Sequence, residues 1–213
     1  LIILLIITSP TEAKSLALES GIIYNNLIYS RYSEGKEITD YSRPESLNQG
    51  AGVYGAGTYW LTDDFGLGLG IEKSSAAWAG TKRYMGGRTG DFKYTCRLVG
   101  PYGELKYKLA ETTSLDFNLG YYHYEEHYFA ENYWPEEDFA EVLESGRSLG
   151  IKIGTSNYYS ITDNLNFHWD FGYRYLLVKI NKDYNWDTDE LEEVNRKLLL
   201  QGLSARGGII YKF

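Results

Sequence analysis

Apolar and polar side chains alternate along most of this chain with a period of two. Over residues 165–177, Leu165, Phe167, Trp169, Phe171, Tyr173, Tyr175 and Leu177 share one parity. Asn166, His168, Asp170, Gly172 and Arg174 share the other. Successive residues of a strand project to opposite faces, so the segment predicts a strand with one apolar and one polar face. The same pattern sets Phe65, Leu67, Leu69 and Ile71 against Gly66, Gly68, Gly70 and Glu72. It sets Leu105, Tyr107 and Leu109 against Glu104, Lys106 and Lys108, and Ile151, Ile153 and Tyr159 against Lys152. Near the end, Leu199, Leu203, Ala205, Gly207, Ile209, Tyr211 and Phe213 oppose Ser204, Arg206 and Lys212. The first strand, about 17–31, alternates poorly around Asn25-Asn26, where a bulge is expected.

These strands are punctuated by an internal repeat. Thr62-Asp63-Asp64, Thr112-Thr113-Ser114 and Thr162-Asp163-Asn164 recur at a spacing of 50 residues. An alternating strand follows each, including Leu115-Asp116-Phe117-Asn118-Leu119 after the second. A fixed period with a polar turn at each node marks a repeated hairpin. Three short links joining four hairpins predict eight antiparallel strands, with turns near residues 63, 113 and 163 and both termini on the short-turn side.

The longer connections fall on the opposite edge, at about 34–46, 74–91, 130–146 and 182–197. Charge follows the same division. Loop 130–146 carries Glu131, Glu136, Glu137, Asp138, Glu141 and Glu144 and no base. Loop 182–197 is also acidic, whereas loop 74–91 has Lys82, Arg83 and Arg88 against Asp91. The negative excess of the chain, −8 overall, therefore resides in the loops.

The 21 Tyr, 8 Phe and 5 Trp, with 23 Gly and 4 Pro in 213 residues, are a β-type composition and suit one domain. No apolar run approaches the roughly 20 residues that a membrane helix needs. A chain of this kind can cross a bilayer only as a closed barrel, because open strand edges would leave backbone groups unsatisfied in lipid. Leu1–Ile7 is a short apolar run before Thr-Ser-Pro-Thr-Glu-Ala-Lys. It reads as a truncated secretory signal over 1–13, cleaved after Ala13, ahead of a single barrel over 14–213. A buried first strand or a stub of membrane helix is the alternative. The lone Cys96 fits an exported protein without disulfides and reads as a packed side chain.

A soluble barrel would enclose the apolar parity, and a membrane barrel would turn it to lipid. Aromatic residues near the turns (Tyr59, Trp60, Tyr107, Tyr159) and both signs of charge on the polar parity favour the second. The ending Gly207-Gly-Ile-Ile-Tyr211-Lys-Phe213 resembles the C-terminal signature of bacterial outer-membrane barrels, here Ile209, Tyr211 and Phe213. The mature chain as a whole resembles the small eight-stranded group, the OmpA/OmpX-like barrels, in architecture and terminus. The resemblance implies an all-β, up-and-down transmembrane barrel in the outer membrane of a bacterium. It further implies three short periplasmic turns, four long extracellular loops and delivery to the barrel-assembly machinery through the terminal signature.

Eight strands leave an interior just wide enough for side chains. Glu72, Glu104, Lys106, Lys108, Asp116, Lys152, His168, Asp170, Arg174 and Arg206 are then expected to pair across the lumen as a polar plug. The corresponding function is structural or surface-interacting, with outer-membrane lipid around a monomeric barrel. Its acidic loops would attract divalent cations or a basic partner, and nucleic acid is not expected. A narrow transport barrel for small solutes or apolar compounds is the alternative. A lipid-processing enzyme, which the resemblance also admits, comes third. His123 and His127 flank Glu125-Glu126, but i and i+4 on a strand lie roughly 13 Å apart, too far to share one metal. No His-x-Ser context is present, and no catalytic, metal or cofactor residue is assigned.

Overall fold

The computed structural model describes residues 15–33, 36–38, 46–83, 89–133, 137–185 and 190–213. The proposed leader, residues 1–13, lies outside them, as do the side chains of most acids of loop 130–146. Among the described residues nine strands form: β1 (Ser15–Ser33), β2 (Lys36–Ile38), β3 (Ser46–Trp60), β4 (Phe65–Arg83), β5 (Thr89–Ala110), β6 (Thr113–Tyr133), β7 (Glu137–Ser160), β8 (Leu165–Asn185) and β9 (Glu190–Lys212). All but β2 join in one antiparallel ring, in the order β1-β3-β4-β5-β6-β7-β8-β9, closed by pairing of β9 with β1. The short β2 pairs only with the far end of β1. The expected eight-stranded closed barrel is thus what the chain builds, and closure leaves its ring without an edge.

The three turns stand where the repeat places them, at residues 61–64, 111–112 and 161–164. In the first and third, the leading threonine shapes the turn. Thr62 Oγ1 accepts from the amide of Phe65 at 3.0 Å, and Thr162 Oγ1 accepts from the amide of Leu165 at 3.1 Å. The middle turn is tighter, at two residues. All three are tied to the following hairpin by one recurring bond. The carbonyls of Asp64, Thr112 and Asn164 accept from the amides of Lys108, Tyr158 and Lys212 at 2.7, 2.8 and 2.8 Å. Phe213 N donates to Leu16 O at 2.9 Å, which fixes the start of β1 and the end of β9 on this rim.

Two local expectations are revised. The stretches read as loops are shorter than drawn, because β4 and β5 stay paired as far as Arg83 and Thr89, and β6 reaches Tyr133. Hydrated hairpins can carry charge on both faces, so the polar composition of these stretches does not end the ladder. The irregularity near Asn25 is a register shift against β3, where Asn25 faces Gly50 and Leu27 faces Leu47. The additional residue therefore lies in β3, while β1 stays in register with β9 throughout.

The faces follow parity. Leu67, Leu69, Ile151, Phe167, Trp169, Phe171 and Ile209 point outward, with Leu69 77% and Phe171 61% exposed. Asp170, Arg174, Arg206, Lys152 and Glu104 point inward, each under 5% exposed. Tyr59, Tyr107 and Tyr159 are exposed near the turns. Trp60 is not part of that girdle. It follows the outward Tyr59, so the strand's period turns it toward the lumen mouth, where it lines a cavity with Lys106 and Lys108. An apolar exterior around a charged interior reverses the soluble arrangement and is that of a transmembrane barrel.

Phe171 sits midway along the outward run of β8. Phe171→Arg should lower the unfolding free energy in vesicles by roughly 2–4 kcal/mol, against little change for Asp163→Arg in the exposed turn. Equal, small effects in denaturant titrations of the two variants would contradict a lipid-facing wall.

Candidate functional site in the barrel lumen

The interior is built in two storeys. The lower one, nearer the short turns, collects inward charges from seven of the eight ring strands, all but β3. Five carboxylates (Glu19, Glu72, Glu104, Asp116, Asp170) meet four cations (Lys106, Lys152, Arg174, Arg206), all buried, with His168 beside them. Lys106 Nζ donates to Glu19 Oε2 at 2.8 Å and lies 3.1 Å from Glu104 Oε1. Lys152 pairs with Asp170, and Ser114 and Ser156 both donate to Asp116. Arg206 Nη2 donates to Glu72 Oε2 at 3.0 Å and approaches Glu104 and Asp170 at 3.8 and 4.0 Å. Arg174 pairs with Glu72 from the other side and donates to Asn25 Oδ1 at 3.4 Å. Glu72 is therefore the bridge between the two guanidiniums.

Aromatic rings complete this storey. The Arg206 guanidinium lies 5.0 Å from the ring centre of Tyr54 and 4.6 Å from that of Tyr102, and Arg174 lies 4.9 Å from Tyr122. Room for the rings comes from inward glycines. A Cβ at Gly70 would stand 2.4 Å from Tyr102 Cζ, and one at Gly120 would stand 2.1 Å from Tyr122 Oη. His168 is enclosed, with Nε2 3.2 Å from Glu19 Oε1 and hydrogen-bonded to the Tyr54 hydroxyl. Beneath the network a cavity of about 160 Å³ opens toward the turns, lined by Glu19, Thr58, Trp60, Lys106, Lys108 and Tyr158 among others. Lys108, read as one of the plug charges, lines this mouth, half-buried, and is not in the buried network.

Above Arg174 the lumen turns apolar. Leu27, Ala76, Cys96, Leu98, Tyr122, Tyr124, Leu176, Val178, Ile180, Leu198 and Leu200 form one buried cluster. The sequence reading missed this storey, and also Glu19 and the three inward tyrosines. The available signal was local loss of alternation. Leu176-Leu177-Val178 and Leu198-Leu199-Leu200 are apolar on both parities, which is what a strand between lipid and a dry interior requires. Over this cluster, Glu126 and Glu144 face each other across β6 and β7. Tyr124 Oη donates to Glu126 Oε2 at 2.8 Å, and Arg196 lies 3.5 Å from Glu144 and pairs with Asp183.

The two remaining histidines are outside the barrel. His123 Nε2 and His127 Nε2 lie 3.1 and 3.4 Å from the two oxygens of Glu125. Ser145 faces Glu125 in register, but among the described residues no hydrogen bond joins it to either histidine. The described residues contain no group of three or more His, Cys, Asp or Glu side chains placed to hold a metal. At the chain's end, Ile209 and Tyr211 point outward, and the Tyr211 and Phe213 rings meet edge to face at 4.8 Å.

No protein-family model matches the chain. No curated protein sequence matches it. Solved structures with a similar fold include Ail, the attachment invasion locus protein of Yersinia pestis, in complex with the heparin analogue sucrose octasulfate. It is 16% identical over 95% of this chain and 100% of its own, with a TM-score of 0.43. The outer membrane protease OmpT from Escherichia coli is 12% identical over 96% and 99%, with a TM-score of 0.47. The outer membrane protein OprG from Pseudomonas aeruginosa is 12% identical over 95% and 97%, with a TM-score of 0.43.

Breaking a buried ion pair by removing one partner strands the other in a place water reaches poorly. Arg206→Ala should destabilise the barrel by roughly 3–5 kcal/mol, whereas Glu190→Ala, exposed at the start of β9, should stay within about 1 kcal/mol. Arg206→Lys, which keeps the charge and loses the fork, should fall between them. Thermal unfolding followed by circular dichroism orders the three, and equal effects would contradict a network centred on Arg206.

Proposed function

We propose that the chain is an outer-membrane β-barrel whose work is structural or surface-interacting, and whose lumen is a plug instead of a path. The observation that carries this reading is the stacking of a buried ion network beneath an apolar core. A hydrated ion moving along the axis would have to break the Glu72–Arg174 and Glu72–Arg206 bridges and then cross a cluster of leucines. Each storey alone obstructs ions, and together they oppose both polar and apolar cargo. The terminal Ile209, Tyr211 and Phe213 would be read by the assembly machinery during insertion, and the surrounding partner would be outer-membrane lipid. Exposed Glu190, Glu192 and Glu193 belong to the acidic rim expected to attract divalent cations.

The test is conductance. Purified protein in planar bilayers should show no steady current at moderate voltage. A double change that opens both storeys, Arg206→Ser with Leu200→Ser, should raise current bursts or leakiness before the barrel is lost. Stable, ion-selective conductance by the wild type would overturn the plug and favour transport. For the rim, added Ca²⁺ should raise the thermal midpoint of the wild type and have a smaller effect on Glu190→Gln/Glu192→Gln/Glu193→Gln. A flat response to Ca²⁺ would remove cation binding from the function.

A further inference from the structure

The outer wall above the apolar band carries a contiguous row of basic side chains. On β6, β7, β8 and β9 the residues directly opposite one another are His123, Arg147, Lys179 and Lys197. All four side chains are exposed and of outward parity. The row immediately below, in the same register, is Tyr121, Leu149, Leu177 and Leu199. The row above is mixed, with Glu125, Ser145, Lys182 and Glu193. Glu125 is held by the two histidines, and Glu193 faces Lys182.

Like charges directly opposite on neighbouring strands repel at about 5 Å and disfavour the pairing. Here Arg147 faces Lys179 and Lys179 faces Lys197, two such contacts in succession. Among the described residues none of the three has a carboxylate partner. Nearby carboxylates would have been the simple remedy, yet the acids of this side lie in the lumen, at Glu126 and Glu144, or in the row above. The arrangement is stabilised if an anion from outside lies along the row. Strands of such a barrel tilt by roughly 35–45°, so four positions across the ladder climb by roughly 9 Å. That is comparable with a headgroup layer together with the reach of lysyl and arginyl side chains, whose methylenes can lie on the leucines below.

We propose that Arg147, Lys179 and Lys197, with His123 at the β6 end, form a docking track for phosphate-bearing headgroups of lipids in the leaflet next to the long-loop rim. The proposal rests on the membrane reading above and names the headgroup chemistry that this face would select. The occupant is argued from charge complementarity and position. The row begins where the apolar wall ends, and the groups lying against that line in a bilayer are headgroups. Arginine adds a planar fork matched to phosphate oxygens, and lysines supply point charges beside it.

Native mass spectrometry in detergent with short-chain phosphatidic acid and the matched phosphatidylcholine tests this. The wild type should bind the phosphatidic acid tighter by roughly a hundredfold, the combined effect of three basic residues near one anionic group. Arg147→Gln/Lys179→Gln/Lys197→Gln should lose the preference. Lys73→Gln/Lys93→Gln/Lys182→Gln removes the same charge from exposed positions outside the row and should keep it. If the row triple fails to fold, Lys179→Gln alone, flanked by a cation on each side, should reduce the preference. No preference in the wild type, or equal loss in the two triples, overturns the track. So does displacement of the lipid by inorganic phosphate at matched concentration, which would assign the row to free anions. Insertion of the wild type into phosphatidylcholine vesicles is scored separately, and its failure would sink the membrane reading itself.

Discussion

The interior of an eight-stranded barrel is about one side chain wide on each wall, and the rest of this molecule follows from that constraint. Nothing that points inward can avoid its neighbours across the axis. A charge there must find an opposite charge, a ring must find a glycine, and an aliphatic side chain must find others of its kind. Glu72 shows the first, bridging Arg174 and Arg206 from a position 1% exposed. Tyr102 over Gly70 shows the second, and the Leu176–Leu200 cluster the third.

The division of the lumen into storeys also separates two kinds of stability. The ionic storey is specific, since each carboxylate has particular donors and a register slip of one residue would turn the network outward. The apolar storey tolerates repacking more readily and contributes through burial. Outside, the same strands meet a medium that demands the opposite surface. Their parity therefore satisfies two solvents, and the narrow changeover is where the apolar row Tyr121–Leu199 gives way to His123–Lys197.

Much of this was legible in the sequence, for a physical reason. A wall one residue thick between unlike media forces strict alternation, and the 50-residue spacing of Thr62, Thr112 and Thr162 marks the links. Parity sufficed to place Asp170, Arg174, Arg206, Lys152 and Glu104 inside. It failed wherever both faces want the same kind of residue, as at Leu176–Val178 and Leu198–Leu200, because alternation then vanishes and looks like noise. Glu19 was missed because its strand mixes Ile22 and Ile23, which face lipid and lumen. Partners across the axis, such as Arg174 and Glu72, are 102 residues apart and obey no spacing rule. Trp60 was misplaced by counting aromatics near a turn without applying parity to each.

The recurring bond from each short turn to the next hairpin has a consequence for how such a wall could have been lengthened. Asp64, Thr112 and Asn164 each present one carbonyl to the strand that begins the return of the following hairpin. Every hairpin thus carries its own fastening to its successor, independent of side-chain identity at the joint. Duplication of a hairpin would preserve these fastenings and enlarge the circumference in steps of two strands. What it would not preserve is the axis, since a wider ring separates Glu72 from its arginines. Circumference is therefore free to vary by gene duplication, while the filling must be reinvented at each size.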